Sequence, residues 1–137
     1  MTKLVGITGG IGSGKTTFSN HLKKLGYVVH ESDVVVSEIY NNPKKNFLSF
    51  IKEKISQDAT DHYKINKAEI ANVIFSNNKI KKLLERRIHK EVQISREAFI
   101  KKYTKKKKKI IFADIPLLFE NKLEKGLDLV ICIISSK

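Results

Sequence analysis

The chain has 137 residues, 41% of them hydrophobic, which is enough for one core and short for two. Lys and Arg outnumber Asp and Glu by 27 to 14, a formal charge of +13, and Cys132 is the single cysteine. These numbers exclude a disulfide framework and, with no apolar run near the roughly 18 residues of a spanning helix and no signal-like start, lead us to expect a soluble cytoplasmic protein.

The first predicted strand is Leu4-Val5-Gly6-Ile7. Residues 9–16 follow as Gly-Gly-Ile-Gly-Ser-Gly-Lys-Thr, a complete G-x-x-x-x-G-K-[ST] phosphate-binding loop. A helix comes next, with Phe18, Leu22 and Leu25 on one stripe and Gly26 as its stop signal. A strand, a glycine loop and a helix N-terminus in that order make a cradle for nucleotide phosphates. The predicted ATP-binding residues are Gly9, Gly10, Ile11, Gly12, Ser13, Gly14, Lys15, Thr16 and Thr17. Glycines let the backbone N–H groups turn inward as an anion nest. Lys15 is placed to reach the β- and γ-phosphates, the Thr16 hydroxyl to ligate Mg²⁺, and Thr17 to cap or line the phosphate end. The competing reading is a glycine-rich turn that binds nothing; the flanking strand and helix speak against it.

A second strand, Tyr27-Val28-Val29-His30, leads to Glu31-Ser32-Asp33. Asp33 therefore falls at the carboxyl end of a strand, the rim where open α/β sheets hold ligands. There it can accept a proton from a substrate hydroxyl or hold Mg²⁺; the alternative is a cap for a helix beginning at Val34. A helix at 34–41 stops at Asn41-Asn42-Pro43, and a further helix carries Phe47, Leu48, Ile51 and Ile55 on one face. Residues 57–65 are polar and read as a loop. Asn66 with Glu69 resembles a capping box ahead of Ile70, Val73 and Ile74. After the break at Asn77-Asn78, Ile80, Leu84, Ile88, Val92 and Phe99 line one side of a long helix over about 79–103. On it Arg86, Arg87 and His89 lie within one turn, either as a fork for a bound phosphate or as solvent-exposed charges.

The five lysines at 105–109 read as a solvated turn, with a nucleic-acid or lipid patch as the alternative. Ile110-Ile111-Phe112-Ala113 is a continuous apolar run, as expected of a strand buried on both faces. Asp114 ends it as a metal-holding acid of the Walker-B kind, or as a cap or turn residue. Pro116-Leu117-Leu118-Phe119-Glu120 follows, with Glu120 as a structural hydrogen-bond partner, and a last strand spans 129–134 with Cys132 as a buried structural thiol. The four histidines show no metal spacing, and no Ser-His-Asp arrangement is defensible. The lysines are scattered without interleaved aromatics, so nucleic acid is not the expected partner, although the field suits a phosphate-rich substrate.

The expected fold is α/β: a P-loop parallel sheet flanked by helices, with a helical insertion. Residues 1–34 and 104–137 would form the nucleotide-binding core, and residues 35–103 a helical substrate-binding block. The pieces in this order resemble dephospho-coenzyme A kinase. The opening Val5-Gly6-Ile7-Thr8-Gly9-Gly10-Ile11-Gly12-Ser13-Gly14-Lys15-Thr16-Thr17 looks like that family's start. Leu25-Gly26 leading to Glu31-Ser32-Asp33 is similar to its Asp-Ala-Asp element, with Glu31 in place of the first aspartate. Leu84-Glu85 with Ile88-His89 resembles its Leu-Glu…His-Pro helix, with Lys90 where the family has proline. Pro116-Leu117-Leu118-Phe119-Glu120 looks like its Pro-Leu-Leu-Phe-Glu segment.

The resemblance implies ATP- and Mg²⁺-dependent phosphorylation of the ribose 3′-hydroxyl of dephospho-coenzyme A. It implies Asp33 as base, Lys15 as charge partner of the transferred group, and the helical block as the coenzyme-binding region. Substrate contacts fall on Asp33, Arg87, His89, Pro116 and Leu117, and metal contacts on Thr16 and Asp114. The family continues past the last strand into a lid helix with Gln and Arg residues and an Ala-Asp motif. Relative to it the chain reads as C-terminally truncated. The alternatives from other classes are an ATP-binding remnant without turnover and a basic P-loop protein acting on nucleic acid.

Overall fold

The structure, a computed structural model, describes residues 1–10, 14–115 and 126–134. Two compact units divide the chain: Met1–Ser32 with Ser95–Lys137, and Asp33–Ile94.

The first unit is built on a parallel sheet. Its strands are β1 (Lys3–Gly9), β2 (Val28–Glu31), β5 (Ile110–Asp114) and β6 (Leu129–Ile133), in the order β2-β5-β1-β6. Helix α1 (Lys15–Lys24) joins β1 to β2. Register and alternation assign the two faces. Val29 and Val5 both pair with Phe112, and these three residues share a core with Leu22 and Phe18 of α1. The next residues, His30, Ala113 and Gly6, form a row on the opposite face. Along it a Cβ on Gly6 would meet Leu127 Cδ1 at 2.8 Å and Ile115 Cδ1 at 3.1 Å, so this row has no space beside β1. Burial of Ile111, Phe112, Ala113 and Asp114 matches a central strand covered on both sides.

Helix α1 ends as its sequence foretells. Gly26 adopts φ 94°, Gly26 N–H donates to Lys23 C=O and Tyr27 N–H to Leu22 C=O, which is a Schellman motif. Leu25, expected on the apolar stripe, is 61% exposed. It occupies the C-cap, where the chain leaves the helix. Cys132, expected to be buried, is exposed. It lies on β6, the last strand in the sheet order, where Leu129 and Val130 are exposed too. An apolar run identifies a strand, and its rank in the sheet decides whether it is covered.

The second unit is helical. It holds α2 (Ser32–Asn41, from its second residue), α3 (Lys45–Phe50), α4 (Lys67–Ser76) and the first part of α5 (Asn78–Lys105). Phe47, Ile51, Ile55, Ala59, Ile70 and Leu84 form its core. After α3 the helix widens to a π-helical stretch, Ile51–Ile55, which keeps residues 47, 51 and 55 on the buried side. The polar segment expected as a loop is ordered further. It contains a 3₁₀ turn (Gln57–Ala59) and a hairpin of β3 (Thr60–Asp61) and β4 (Lys64–Ile65), with His62 at φ 56° on its tip. The cap at Asn66 forms as expected, its side chain accepting from Glu69 N–H at 3.2 Å.

Helix α5 runs from one unit into the other, and the dividing point is Ile94/Ser95. It closes on the lysine run. Lys107 N–H donates to Thr104 C=O and Lys108 N–H to Tyr103 C=O, with Lys107 in the left-handed region at φ 60°. All five lysines are exposed, as a solvated turn requires.

Candidate functional site

The carboxyl end of the sheet in the first unit collects the polar groups. Strand β1 delivers Gly9 and Gly10, and Gly14 caps α1 at φ 92°, a conformation that disfavours any side chain. Phe18 N–H donates to Gly14 C=O at 3.0 Å, which begins the helical ladder. A Cβ built on Gly10 or Gly14 meets none of the described residues within 4 Å. The first turn of α1 carries no acidic residue, and the unpaired N–H groups and the dipole of a helix start favour an anion. Ile11, Gly12 and Ser13 lie outside the described residues. Thr16 and Thr17 are exposed on the first turn.

Asp114 ends β5 on the α1 side of the sheet, one row beyond Phe112. Its Oδ1 is 2.8 Å from Lys15 Nζ, and the two side chains are 8% and 16% exposed. The same row carries Glu31, which pairs with Lys23 farther along α1. Sequence reading took Lys15 and Asp114 as separate candidates; the fold makes them one ion pair.

Ser32 links the strands behind this pair. Its Oγ donates to the Asp114 carbonyl at 2.8 Å and accepts from Arg96 Nη2 at 3.3 Å. Ser32 is 2% exposed and Arg96 3%, and Arg96 Nε and Nη1 have no hydrogen-bond partner among the described residues. Burial lowers the Arg96 pKa, while the negative charges of Asp114 and Glu97 oppose that fall. His30, also buried, has Nε2 3.1 Å from Ser95 Oγ and packs edge-on to Phe99 at 5.2 Å. Desolvation first, and the Arg96 charge second, bring the His30 pKa down to about 4, so it is neutral at pH 7.

The sequence analysis did not single out Ser32, His30 or Arg96. Arg96 left a legible trace: it falls between Val92 and Phe99 on the apolar stripe of α5, where a charge must be paired. Asp33 is not the cap of a helix starting at Val34. The helix begins at Ser32, so Asp33 is an exposed residue of its first turn, where a carboxylate is favoured by the dipole.

In the second unit Arg87 Nε donates to Glu91 Oε1 at 3.2 Å, and its guanidinium lies 4.9 Å from the Phe50 ring centroid. His89, two residues on, is half-buried. Pro116, Leu117 and Glu120 lie outside the described residues.

A family model described as dephospho-CoA kinase matches residues 3–137. A dephospho-CoA kinase of Bartonella quintana is 34% identical over 131 residues, which is 96% of this chain and 66% of that protein. One of Haemophilus ducreyi is 32% identical over 90% of this chain and 58% of its own length. A solved structure from Thermus thermophilus superposes with a TM-score of 0.70 at 27% identity, covering 97% of this chain and 65% of that one. The dephospho-CoA kinase structure from Campylobacter jejuni gives a TM-score of 0.76 at 23% identity, over 96% of this chain and 66% of that one, and shares the fold. The chain thus spans 58% to 66% of the length of these curated relatives.

Proposed function

The chain belongs to the dephospho-CoA kinase family, and on that premise we propose that it acts in ATP-dependent phosphorylation of the ribose 3′-hydroxyl of dephospho-coenzyme A. The observation that carries this reading is the Lys15–Asp114 ion pair at the head of α1, which opens on Gly14 at φ 92°. A lysine there is a point charge that can move to the β- and γ-phosphates, and the glycine amides cradle them.

In the reaction the acceptor oxygen forms a bond to the γ-phosphorus as the bond from that phosphorus to the β-γ bridging oxygen breaks. ADP leaves, and the hydroxyl proton passes to the Asp33 carboxylate. Asp33 directly follows Ser32, whose hydroxyl is bonded to the end of β5. Its exposure leaves it open to a substrate. Lys15 neutralises charge on the transferring group.

The donor chemistry fits Mg²⁺. Asp114 reaches the head of α1, where Thr16 sits, and a carboxylate with a hydroxyl is a hard-oxygen set. Thr16 and Asp114 would hold the ion, and it would neutralise phosphate charge. The helical unit, with Arg87 and His89, would take the coenzyme portion; Pro116 and Leu117 belong to the same proposal. The same reading places the protein in the cytoplasm; among the described residues no helix is long and apolar enough to cross a membrane.

The test is a coupled ADP-release assay with detection of the 3′-phosphorylated product, with dephospho-coenzyme A present and absent. Product that depends on both substrates and vanishes in Asp33→Asn supports the proposal. ATP binding without any transfer replaces it with a nucleotide-binding role.

A further inference from the structure

Three strands of the first unit begin side by side: β2, β5 and β1 are neighbours, with Val28 opposite Ile111 and Lys3 opposite Ile110. The chain ahead of each supplies one part of a common rim. Ahead of β5 stand the five exposed lysines at 105–109. Ahead of β1, Thr2 Oγ1 donates to Lys108 C=O at 2.6 Å and Lys3 N–H to Lys109 C=O at 2.8 Å, which ties the start of the chain to the lysine turn. Ahead of β2 come Lys24, Leu25 and Tyr27, where α1 ends. Two properties meet on this rim. No acidic residue occurs in residues 1–30 or 98–113. Three apolar side chains are exposed there, Met1 fully, Leu25 by 61% and Tyr27 by 41%. At the β6 end the rim changes, with Asp128 accepting from Leu4 N–H at 2.7 Å.

Neither property serves the nucleotide site. Strand β1 carries the glycine loop at its carboxyl end, and its seven residues set the rim about 20 Å away. The Debye length at physiological salt is about 8 Å, so exposed charges at that distance are screened and cannot gather phosphates for the loop. The dipole of α5 engages only the cations of its last turn, Lys102 and Lys105.

We propose that this rim is a docking surface for an anionic lipid bilayer. The lysines meet the negative headgroups. Leu25, Tyr27 and Met1 supply the second signal, because stable attachment takes an apolar group as well as a basic patch. Tyrosine suits the boundary, with an apolar ring and a polar tip. Nucleic acid is the other dense polyanion, but exposed leucine and methionine gain nothing from a phosphate backbone. The contact is peripheral: among the described residues no helix is long and apolar enough to cross a membrane. The nucleotide site, at the opposite end of the sheet, stays open to water.

The experiment is co-sedimentation of the whole chain with vesicles of phosphatidylcholine, alone or mixed with phosphatidylserine. It is run at about 0.1 M and about 1 M salt, where the Debye length is about 10 Å and about 3 Å. Binding to the mixed vesicles at low salt is expected, at least tenfold weaker on phosphatidylcholine alone and at high salt. Lys106→Gln, Lys107→Gln and Lys108→Gln together are expected to weaken it at least tenfold, and Leu25→Ser about threefold. Lys79→Gln, Lys81→Gln and Lys82→Gln together remove the same charge from exposed positions of the helical unit, and are expected to cost less than twofold. No binding to the mixed vesicles overturns the proposal, as does equal loss from the two lysine sets or full affinity after Leu25→Ser. A labelled DNA duplex that binds while the vesicles do not replaces the lipid with nucleic acid. None of these variants touches a residue proposed for phosphoryl transfer, so failure here leaves the kinase reading standing.

Discussion

Lys15, the first residue of the helix behind the glycine loop, and Asp114, the last residue of β5, form a largely buried ion pair across 2.8 Å. The pair ties a binding element to the centre of the sheet. Removing Lys15 takes a cation from a largely buried carboxylate, at a cost of about 3 kcal/mol. Lys15→Ala is therefore expected to lose both stability and ATP affinity. Lys15→Ala with Asp114→Ala together should recover much of the stability and none of the affinity. Urea unfolding and ATP titration of the three variants check this.

Asp33 is exposed and outside both cores, so Asp33→Asn should leave the unfolding midpoint within about 0.5 kcal/mol of wild type. Its ATP affinity should be unchanged, while phosphoryl transfer falls on the order of 10²–10⁴-fold, the range for losing a general base. Equal transfer rates in the two proteins would remove Asp33 from the mechanism.

His30 makes stability depend on pH. Its folded pKa is lowered to about 4, from an ordinary value of 6.5, by burial and then by the Arg96 charge. The unfolded chain therefore binds the proton more readily. The contribution is complete above about pH 6.5 and is lost as the pH falls from there towards 4, by up to about 3 kcal/mol. His30→Gln should flatten this acid limb of the stability curve, measured by denaturant unfolding at stepped pH.

Two helix ends use the same left-handed residue with opposite chemistry. Gly26 at φ 94° is suited to it, and Gly26→Ala should cost about 1 kcal/mol. Lys107 at φ 60° is not suited to it, and Lys107→Gly should gain about 0.5–1 kcal/mol. Thermal unfolding of the two variants should therefore shift in opposite directions.

The local features were legible because their causes are local. Gly26 announced a helix stop, Asn66 a cap, and the spacing 80, 84, 88, 92, 99 a long helix, each through bonds or periodicities of a few residues. The loop motif announced the strand before it and the helix after it for the same reason. What failed concerned neighbours distant in the chain. Cys132 and Leu25 are apolar enough for a core, yet their exposure depends on which strand closes the sheet and where the chain turns away. Arg96 looked like one more basic residue on a basic helix.

Residue order alone thus determined the parallel α/β plan, the glycine loop and the candidates Lys15, Asp33 and Asp114, because spacing and turn chemistry act over a few bonds. Tertiary structure alone decided that Lys15 meets Asp114, and that Ser32 and Arg96 stand behind them. It also decided that His30 is held neutral. These outcomes rest on burial and Coulomb interaction between residues 64 to 99 positions apart, and neither acts until the strands have been set side by side.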